Sequence, residues 1–62
     1  MSSNILKDLR EGRQLSQEGL ARKAGVQRAT ISMIERGVNK PSVQLAKRLG
    51  AILRCDWTIF FD

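Results

Sequence analysis

Residues 17–36 read Gln17-Glu-Gly-Leu-Ala-Arg-Lys-Ala-Gly-Val-Gln-Arg-Ala-Thr-Ile-Ser-Met-Ile-Glu-Arg36, and this stretch decides the fold. Its apolar residues recur at helical spacing on both sides of Gly25. Gly25 accepts a positive φ without strain, and the small side chain of Ala21 allows a second helix to come close. The stretch therefore predicts two short helices joined by a tight turn. The residues expected to hold this pair to the rest of the chain are Leu20, Ala24, Val26, Ile31 and Ile34.

The chain before this pair predicts one further helix. That helix runs from about Ser3 to Glu11 and ends at Gly12, where a left-handed cap costs little. Its apolar stripe consists of Ile5, Leu6 and Leu9. Ser16 is then a suitable N-cap for the second helix, and Glu18 lies near the positive end of the same helix.

The chain after the turn predicts a third and a fourth helix. The third runs from about Gln27 to Arg36, and Gly37 caps it. Residues 37–41 form a loop by composition, and Ser42 is the expected N-cap of the fourth helix. The apolar residues of the fourth helix, at i, i+4, i+7 and i+8, are Leu45, Leu49, Ile52 and Leu53.

The last residues are the only place where a strand is an alternative. Asp56 is a good N-cap for a short final helical turn over residues 57–61, whereas the residue types of WTIFF also favour a strand. We expect residues 1–62 to form one all-α domain of four to five short helices on one small core. Within it, residues 17–36 form a helix-turn-helix motif.

Composition excludes several classes of function. The 62 residues include 11 Lys and Arg against 6 Asp and Glu, giving a net charge of +5, and they include no His. We expect no enzyme, because the commonest acid–base group is absent, and no metal or other cofactor. Cys55 is the single cysteine and is expected to act as a small buried hydrophobe. We expect neither a signal peptide nor a membrane span, and therefore a cytoplasmic protein. The net charge of +5 predicts a polyanion as its partner.

The third helix has two unlike faces. A helical wheel places Thr30, Ile31 and Ile34 on the inward face. The opposite face carries Arg28, Ala29, Ser32 and Arg36, with Met33 at its edge. Such a face suits the major groove of DNA, since an arginine binds guanine bidentately and small apolar groups contact the thymine methyl. The candidates for base readout are Arg28, Ala29, Ser32 and Met33.

These features closely resemble the Cro/CI-type (XRE) helix-turn-helix family of phage and bacterial regulators, whose fold is that of lambda repressor. The resemblance continues through Ile34-Glu-Arg-Gly37, Lys40-Pro-Ser42, Asp56-Trp-Thr58 and Phe60-Phe61, so it covers nearly the whole chain. Two positions depart from the family pattern. Gly19 replaces the acidic residue that often completes a capping box, at a cost of about 1 kcal/mol. Gln27 is a poorer N-cap than the usual Ser or Thr.

The resemblance implies how the domain would meet DNA. The third helix would lie in the major groove, and Gln17 would add a base contact from the start of the second helix. Arg10 and Glu35 resemble an arginine–glutamate pair that joins the first and third helices beside the phosphate backbone. The basic residues coincide with the motif, as phosphate neutralisation requires, and two of them within the second helix, Arg22 and Lys23, are expected to form a solvated face. The candidate phosphate contacts are Gln27, Arg36, Asn39, Lys40 and Arg10.

The C-terminal apolar residues raise the question of assembly. The family usually binds DNA as a dimer, and an exposed aromatic patch would pair with its copy across a twofold axis. The dimer-interface candidates are Trp57, Ile59, Phe60 and Phe61, although these residues could equally close the core. We expect a homodimeric repressor on a palindromic operator, with double-stranded DNA as partner and no small-molecule ligand. The alternative is a protein-interaction module, like an antitoxin or antirepressor, that uses the same aromatic segment.

Overall fold

A computed structural model of the chain describes residues 4–61, with no side-chain description of residue 4. The elements are α1 Asn4–Gly12, α2 Gln17–Ala24, α3 Arg28–Glu35, α4 Val43–Leu53 and a C-terminal 3-10 helix, Trp57–Phe61. Residues 4–61 contain no strand, so WTIFF does not form the strand considered above. The all-α class of four to five helices is confirmed. The expected start of the first helix at Ser3 lies outside the described residues.

Serine caps fix where α2 and α4 begin. The Ser16 hydroxyl accepts a hydrogen bond from the Gly19 amide at 2.9 Å, and the Ser42 hydroxyl accepts one from the Leu45 amide at 3.1 Å. Each bond satisfies an amide that the first turn of a helix leaves unpaired. Gln27 precedes α3 but makes no such side-chain bond, as expected for a poorer cap.

Left-handed residues fix where α2 and α4 end. Gly25 has φ 75°, so α2 stops there and the chain turns into α3. The end of α4 was not foreseen, because the residue that turns out of the helix is Arg54, at φ 57°, and not a glycine. The third helix is one residue shorter at each end than expected, since Gln27 and Arg36 lie at its caps.

The core lies where α1, α2, α3 and α4 meet. Its completely enclosed side chains are Leu6, Leu20, Ile31 and Leu49, and the smaller buried residues around them include Ala21 and Ala24. Burying one such leucine or isoleucine side chain contributes about 1.5–3 kcal/mol. In α4 the buried residues are Ala46, Leu49, Gly50 and Leu53. Leu45 and Ile52, expected in the core, are half-buried at its edge.

Gly50 allows the C-terminal segment to pack directly on α4. A β-carbon at this position would lie 2.9 Å from the Cys55 carbonyl oxygen and 3.0 Å from Trp57 Cβ. The following turn is capped by Asp56, whose carboxylate accepts hydrogen bonds from the Thr58 amide at 3.0 Å and the Thr58 hydroxyl at 2.8 Å. The close contact at Gly50 and the Asp56 cap together fix where residues 57–61 run along α4.

Two groups at this turn have altered acidity. The two bonds from Thr58 lower the pKa of the Asp56 carboxyl, because they favour its charged form. Burial raises the pKa of the Cys55 thiol, and the neighbouring Asp56 charge adds to the rise. Cys55 is half-buried against the core, less enclosed than expected. Over residues 4–61, no helix has both the length and the apolar character needed to cross a membrane.

Candidate nucleic-acid interface

A buried ion pair joins α1 to the end of α3. Arg10 Nε donates to Glu35 Oε2 at 2.7 Å, and Arg10 Nη2 donates to Glu35 Oε1 at 3.2 Å. The remaining Nη1 donates to the Leu15 carbonyl at 2.8 Å. Arg10 is 8% exposed and Glu35 is 6% exposed, and the bond to Glu35 raises the pKa of the Arg10 guanidinium further. The pair therefore fixes the base of α3 against α1.

The burial of Arg10 changes the role that its position suggests. We expected Arg10 both in this pair and among the phosphate contacts. All three nitrogens of its guanidinium donate to groups inside the domain, and little of the side chain reaches solvent. This geometry supports the pairing role and gives no support to a direct phosphate contact. In this structure Arg10 joins α1 to α3 from inside the domain.

Gln17 connects this pair to the start of α3. Its side-chain nitrogen donates to Glu35 Oε1 at 3.1 Å, and its side-chain oxygen accepts from Arg28 Nη1 at 3.4 Å. The second bond is longer than the usual range and therefore weak. A chain of hydrogen bonds thus runs from Arg10 through Glu35 and Gln17 to Arg28. Sequence reasoning singled out each residue but missed the bonds through Gln17, because they depend on how closely α2 crosses α3.

The outer face of α3 presents a mixed surface. Arg28 and Ala29 are exposed, and Ser32 and Met33 are half-buried. The Asn39 side-chain amide lies 3.6 Å from the Met33 sulfur, which places the loop after α3 beside the helix. Ile31 and Ile34 are buried on the other side. The four residues of α3 that are expected to read bases thus lie along the accessible part of the helix.

Exposed polar residues flank this face at both ends. They are Gln27 before α3, and Arg36, Asn39 and Lys40 after it. Within residues 4–61, neither Arg36 nor Lys40 is in an ion pair, and the one carboxylate of α3 is buried with Arg10. Arg22 differs, since it pairs with Glu18 at 3.5 Å on the open face of α2. The positive charge beside α3 is therefore not cancelled by neighbouring acids.

The C-terminal aromatic residues are only partly enclosed. Trp57, Ile59 and Phe60 are half-buried and Phe61 is 38% exposed. Trp57 and Phe61 pack edge to face with ring centroids 6.1 Å apart, and Lys47 Nζ lies 5.3 Å from the centre of the Trp57 ring. Phe60 packs against the core. The segment closes one side of the core and also leaves an aromatic surface in contact with solvent.

Comparison with known proteins assigns the family. A model of the helix-turn-helix family HTH_3 matches residues 6–60. The chain is 46% identical over 62 residues to the HTH-type transcriptional regulator YqaF of Bacillus subtilis, covering all of this chain and 82% of YqaF. It is 48% identical over 46 residues to the HTH-type transcriptional regulator MJ0272 of Methanocaldococcus jannaschii, covering 74% of this chain and 70% of that protein.

Solved structures agree with this assignment. A chain of a SinR protein/SinI protein complex superimposes with a TM-score of 0.87 at 32% identity, covering 100% of this chain and 61% of that one. An HTH_3 family transcriptional regulator from Vibrio cholerae superimposes with a TM-score of 0.80 at 34% identity, covering 95% of this chain and 33% of that one. The present chain thus spans less than two thirds of both structural neighbours. It belongs to the HTH_3 (XRE) helix-turn-helix family of DNA-binding transcriptional regulators.

Proposed function

We propose that this domain binds double-stranded DNA at specific sequences, with α3 in the major groove. The observation that carries the proposal is the position of Arg28. It is exposed at the first residue of α3, and its guanidinium Nη1 lies 3.4 Å from the side-chain oxygen of Gln17. An arginine in this position can donate two hydrogen bonds to guanine O6 and N7, a contact that specifies the base.

The remaining base contacts would follow along α3. Ala29 and Met33 offer apolar surface to a thymine methyl group, and the Ser32 hydroxyl offers one donor and one acceptor. Gln17 would approach the same groove from the start of α2. Since its amide already bonds to Glu35, Gln17 presents a fixed orientation to DNA.

Phosphate contacts would supply most of the affinity. Arg36 and Lys40 would neutralise phosphates, and Gln27 and Asn39 would donate neutral hydrogen bonds beside them. Arg10 is left out of this set because it is buried with Glu35. Its contribution would be to hold α3 at the angle at which these residues reach the backbone.

The regulatory action we propose is repression by a homodimer. Two copies paired through the surface of Trp57 and Phe61 would present two α3 helices to successive major grooves of a palindrome, about 34 Å apart. A dimer bound across a promoter would then exclude RNA polymerase. The alternative of a protein-interaction module based on these aromatics is not favoured, since the relatives are named as transcriptional regulators.

Selection from a random pool of DNA duplexes tests the proposal. The expected result is an enriched palindrome that the domain binds at least about a thousandfold more tightly than scrambled DNA at near-physiological salt. The domain with Arg28→Ala is the matched control and should enrich a less defined sequence. If the wild-type domain enriches no sequence and binds only weakly and with strong salt dependence, it is not a specific DNA reader.

A further inference from the structure

A second surface lies apart from α3. An open cleft of about 430 Å³ is formed between the loop after α1, the C-terminal half of α2 and the end of α4. Its lining residues are Arg13, Leu15, Lys23, Ile52 and Arg54. None of them belongs to α3 or to the proposed DNA contacts, so the proposed function does not account for this cleft.

The cleft combines an apolar floor with a cationic rim. Leu15 and Ile52 are half-buried, and both pack against the hydrophobic core. Arg13, Lys23 and Arg54 are exposed, and none of the three forms an ion pair within residues 4–61. Three cations around one cleft repel each other, and a bound anion would relieve that repulsion.

The backbone at two positions of the cleft is left-handed. Arg54 ends α4 at φ 57°, a conformation in which glycine is ordinarily found because a β-carbon is strained there. The one other described residue besides glycine with positive φ is Gln14, which lies between the lining residues Arg13 and Leu15. The left-handed turn at Arg54 ends α4 beside the cleft, where the Arg54 side chain forms part of the lining.

We infer that this cleft binds a peptide segment of a partner protein in which acidic residues flank an apolar side chain. The apolar residue would cover Leu15 and Ile52, and the carboxylates would pair with the three cations. A small molecule is a poorer fit, since ligand sites of that kind enclose most of the ligand surface and this cleft is open. A DNA backbone is also a poorer fit, because phosphates gain nothing from an apolar floor. The inference does not rest on DNA binding by α3.

Nuclear magnetic resonance titration with defined peptides tests the inference. The probe is a short capped peptide that alternates Glu and Leu. One control peptide has Gln in place of Glu, and the other has Ser in place of Leu. We expect the Glu–Leu peptide to shift the amide resonances of residues 13, 15, 23, 52 and 54, while those of α3 stay in place. Both control peptides should bind at least several-fold more weakly.

Two variants separate binding from folding. Arg54→Gly removes the guanidinium and also relieves the positive φ, so peptide affinity should fall about two- to fivefold while Tm stays the same or rises. Lys23→Ala should weaken peptide binding by a similar factor, and Arg22→Ala, on the adjacent exposed cation outside the cleft, should not. Neither cleft variant should change affinity for the DNA sequence selected by the wild-type domain.

Three results would overturn the inference. The first is the absence of cleft shifts with the Glu–Leu peptide up to millimolar concentration. The second is equal binding of the Glu–Ser peptide, which would mean that the apolar floor is not used. The third is an equal loss of affinity of Lys23→Ala and Arg54→Gly for any duplex, which would make these residues phosphate contacts. If the wild-type domain proves not to bind DNA specifically, the peptide test remains valid, because the cleft shares no residue with the proposed DNA contacts.

Discussion

Arg28 stands at the first position of α3 with its guanidinium exposed and bonded to Gln17 alone among the described residues. We expect Arg28→Ala to cost about 1–3 kcal/mol on the selected DNA sequence and to relax preference at one base pair. The reason is that the proposed bidentate contact to guanine would be lost while the core is untouched. Titration of the variant against the selected duplex, its single-base variants and scrambled DNA measures this effect.

The matched control for this prediction is Arg22→Ala. Arg22 is an exposed cation on α2 that pairs with Glu18, so its loss should leave base preference unchanged. An equal loss of affinity by Arg28→Ala on selected and scrambled DNA would show that Arg28 contacts phosphate only.

Arg10 and Glu35 test whether a buried pair stabilises this domain. Replacing either residue alone, as Arg10→Met or Glu35→Leu, should cost about 3–5 kcal/mol, because the other charge remains buried without a partner. The double variant should cost less than either single one, since no buried charge remains. Urea unfolding followed by Trp57 fluorescence measures the three differences. If the loss in free energy of unfolding of the double variant equals the sum of the two single losses, the two side chains act independently.

Restored stability should not restore DNA binding in the double variant. Glu35 accepts the bond that orients Gln17, and that bond is lost with the carboxylate. Affinity for the selected sequence should therefore remain low although the domain is folded. Full DNA affinity in the double variant would remove the ion pair from any role in positioning α3.

At the scale of elements, Gly50 governs how the C-terminal 3-10 helix meets α4. We expect Gly50→Ala to destabilise the domain by about 1–3 kcal/mol, because the new β-carbon would meet a backbone carbonyl and Trp57. Gly12→Ala is the control, since an added β-carbon at Gly12 meets nothing within 4 Å. Thermal unfolding compares the two. A Gly50→Ala variant as stable as the wild type would mean that the C-terminal helix moves away without cost.

The Asp56 cap makes the C-terminal turn sensitive to acid. The pKa of Asp56 is lowered in the folded domain, so its contribution to stability is present above the ordinary carboxyl pKa and is lost as pH falls through the lowered value. Asp56→Asn should reduce this acid sensitivity, because its side chain does not titrate. Denaturant unfolding at a series of pH values, for both proteins, gives the comparison. If the free energy of unfolding falls with pH in the same way for both proteins, Asp56 is not the cause of the acid sensitivity.

Element boundaries were predictable where a single residue type decides them. Ser16 and Ser42 mark helix starts, and Gly25 marks the turn, because each provides a local bond or backbone conformation that does not depend on the rest of the fold. The end of α4 was not predictable, since Arg54 adopts a left-handed conformation that its side chain disfavours. The strand alternative at residues 57–61 remained open in the sequence because the close approach at Gly50 depends on tertiary packing.

The sequence predicted which residues of α3 lie on its outer face, but it did not predict the hydrogen bonds that join the neighbouring side chains. The wheel of α3 identified Arg28 and Ser32 on the outer face from periodicity alone. The pairing of Arg10 with Glu35 was available only through the family resemblance, because 25 residues separate them in the chain. The bonds of Gln17 depend on how α2 packs across α3, and a local sequence pattern does not determine that packing.

For the whole molecule, the proposed homodimer depends on the exposed aromatic surface that includes Phe61. If two copies pair through the C-terminal aromatics, Phe61→Ser should shift a dimer toward monomer and weaken binding to a palindrome more than to a half-site. Sedimentation of the wild-type and variant domains, with and without DNA, measures this. Val43→Ser is the control, because Val43 is 52% exposed on α4 and outside the aromatic segment. A wild-type domain that stays monomeric on DNA would exclude this interface.

The bonds of Gln17 have a consequence for how such a domain changes over evolutionary time. A substitution at position 17 alters the surface offered to DNA and at the same moment removes a donor from the buried Glu35 carboxylate. Ala29 and Ser32 lie on the same face but outside this chain of bonds. Under the proposed binding mode, substitutions at positions 29 and 32 would therefore change the preferred DNA sequence without disturbing the interior. A change at position 17 would also leave Glu35 Oε1 with one donor fewer, so the same substitution would reach both the DNA-facing surface and the interior.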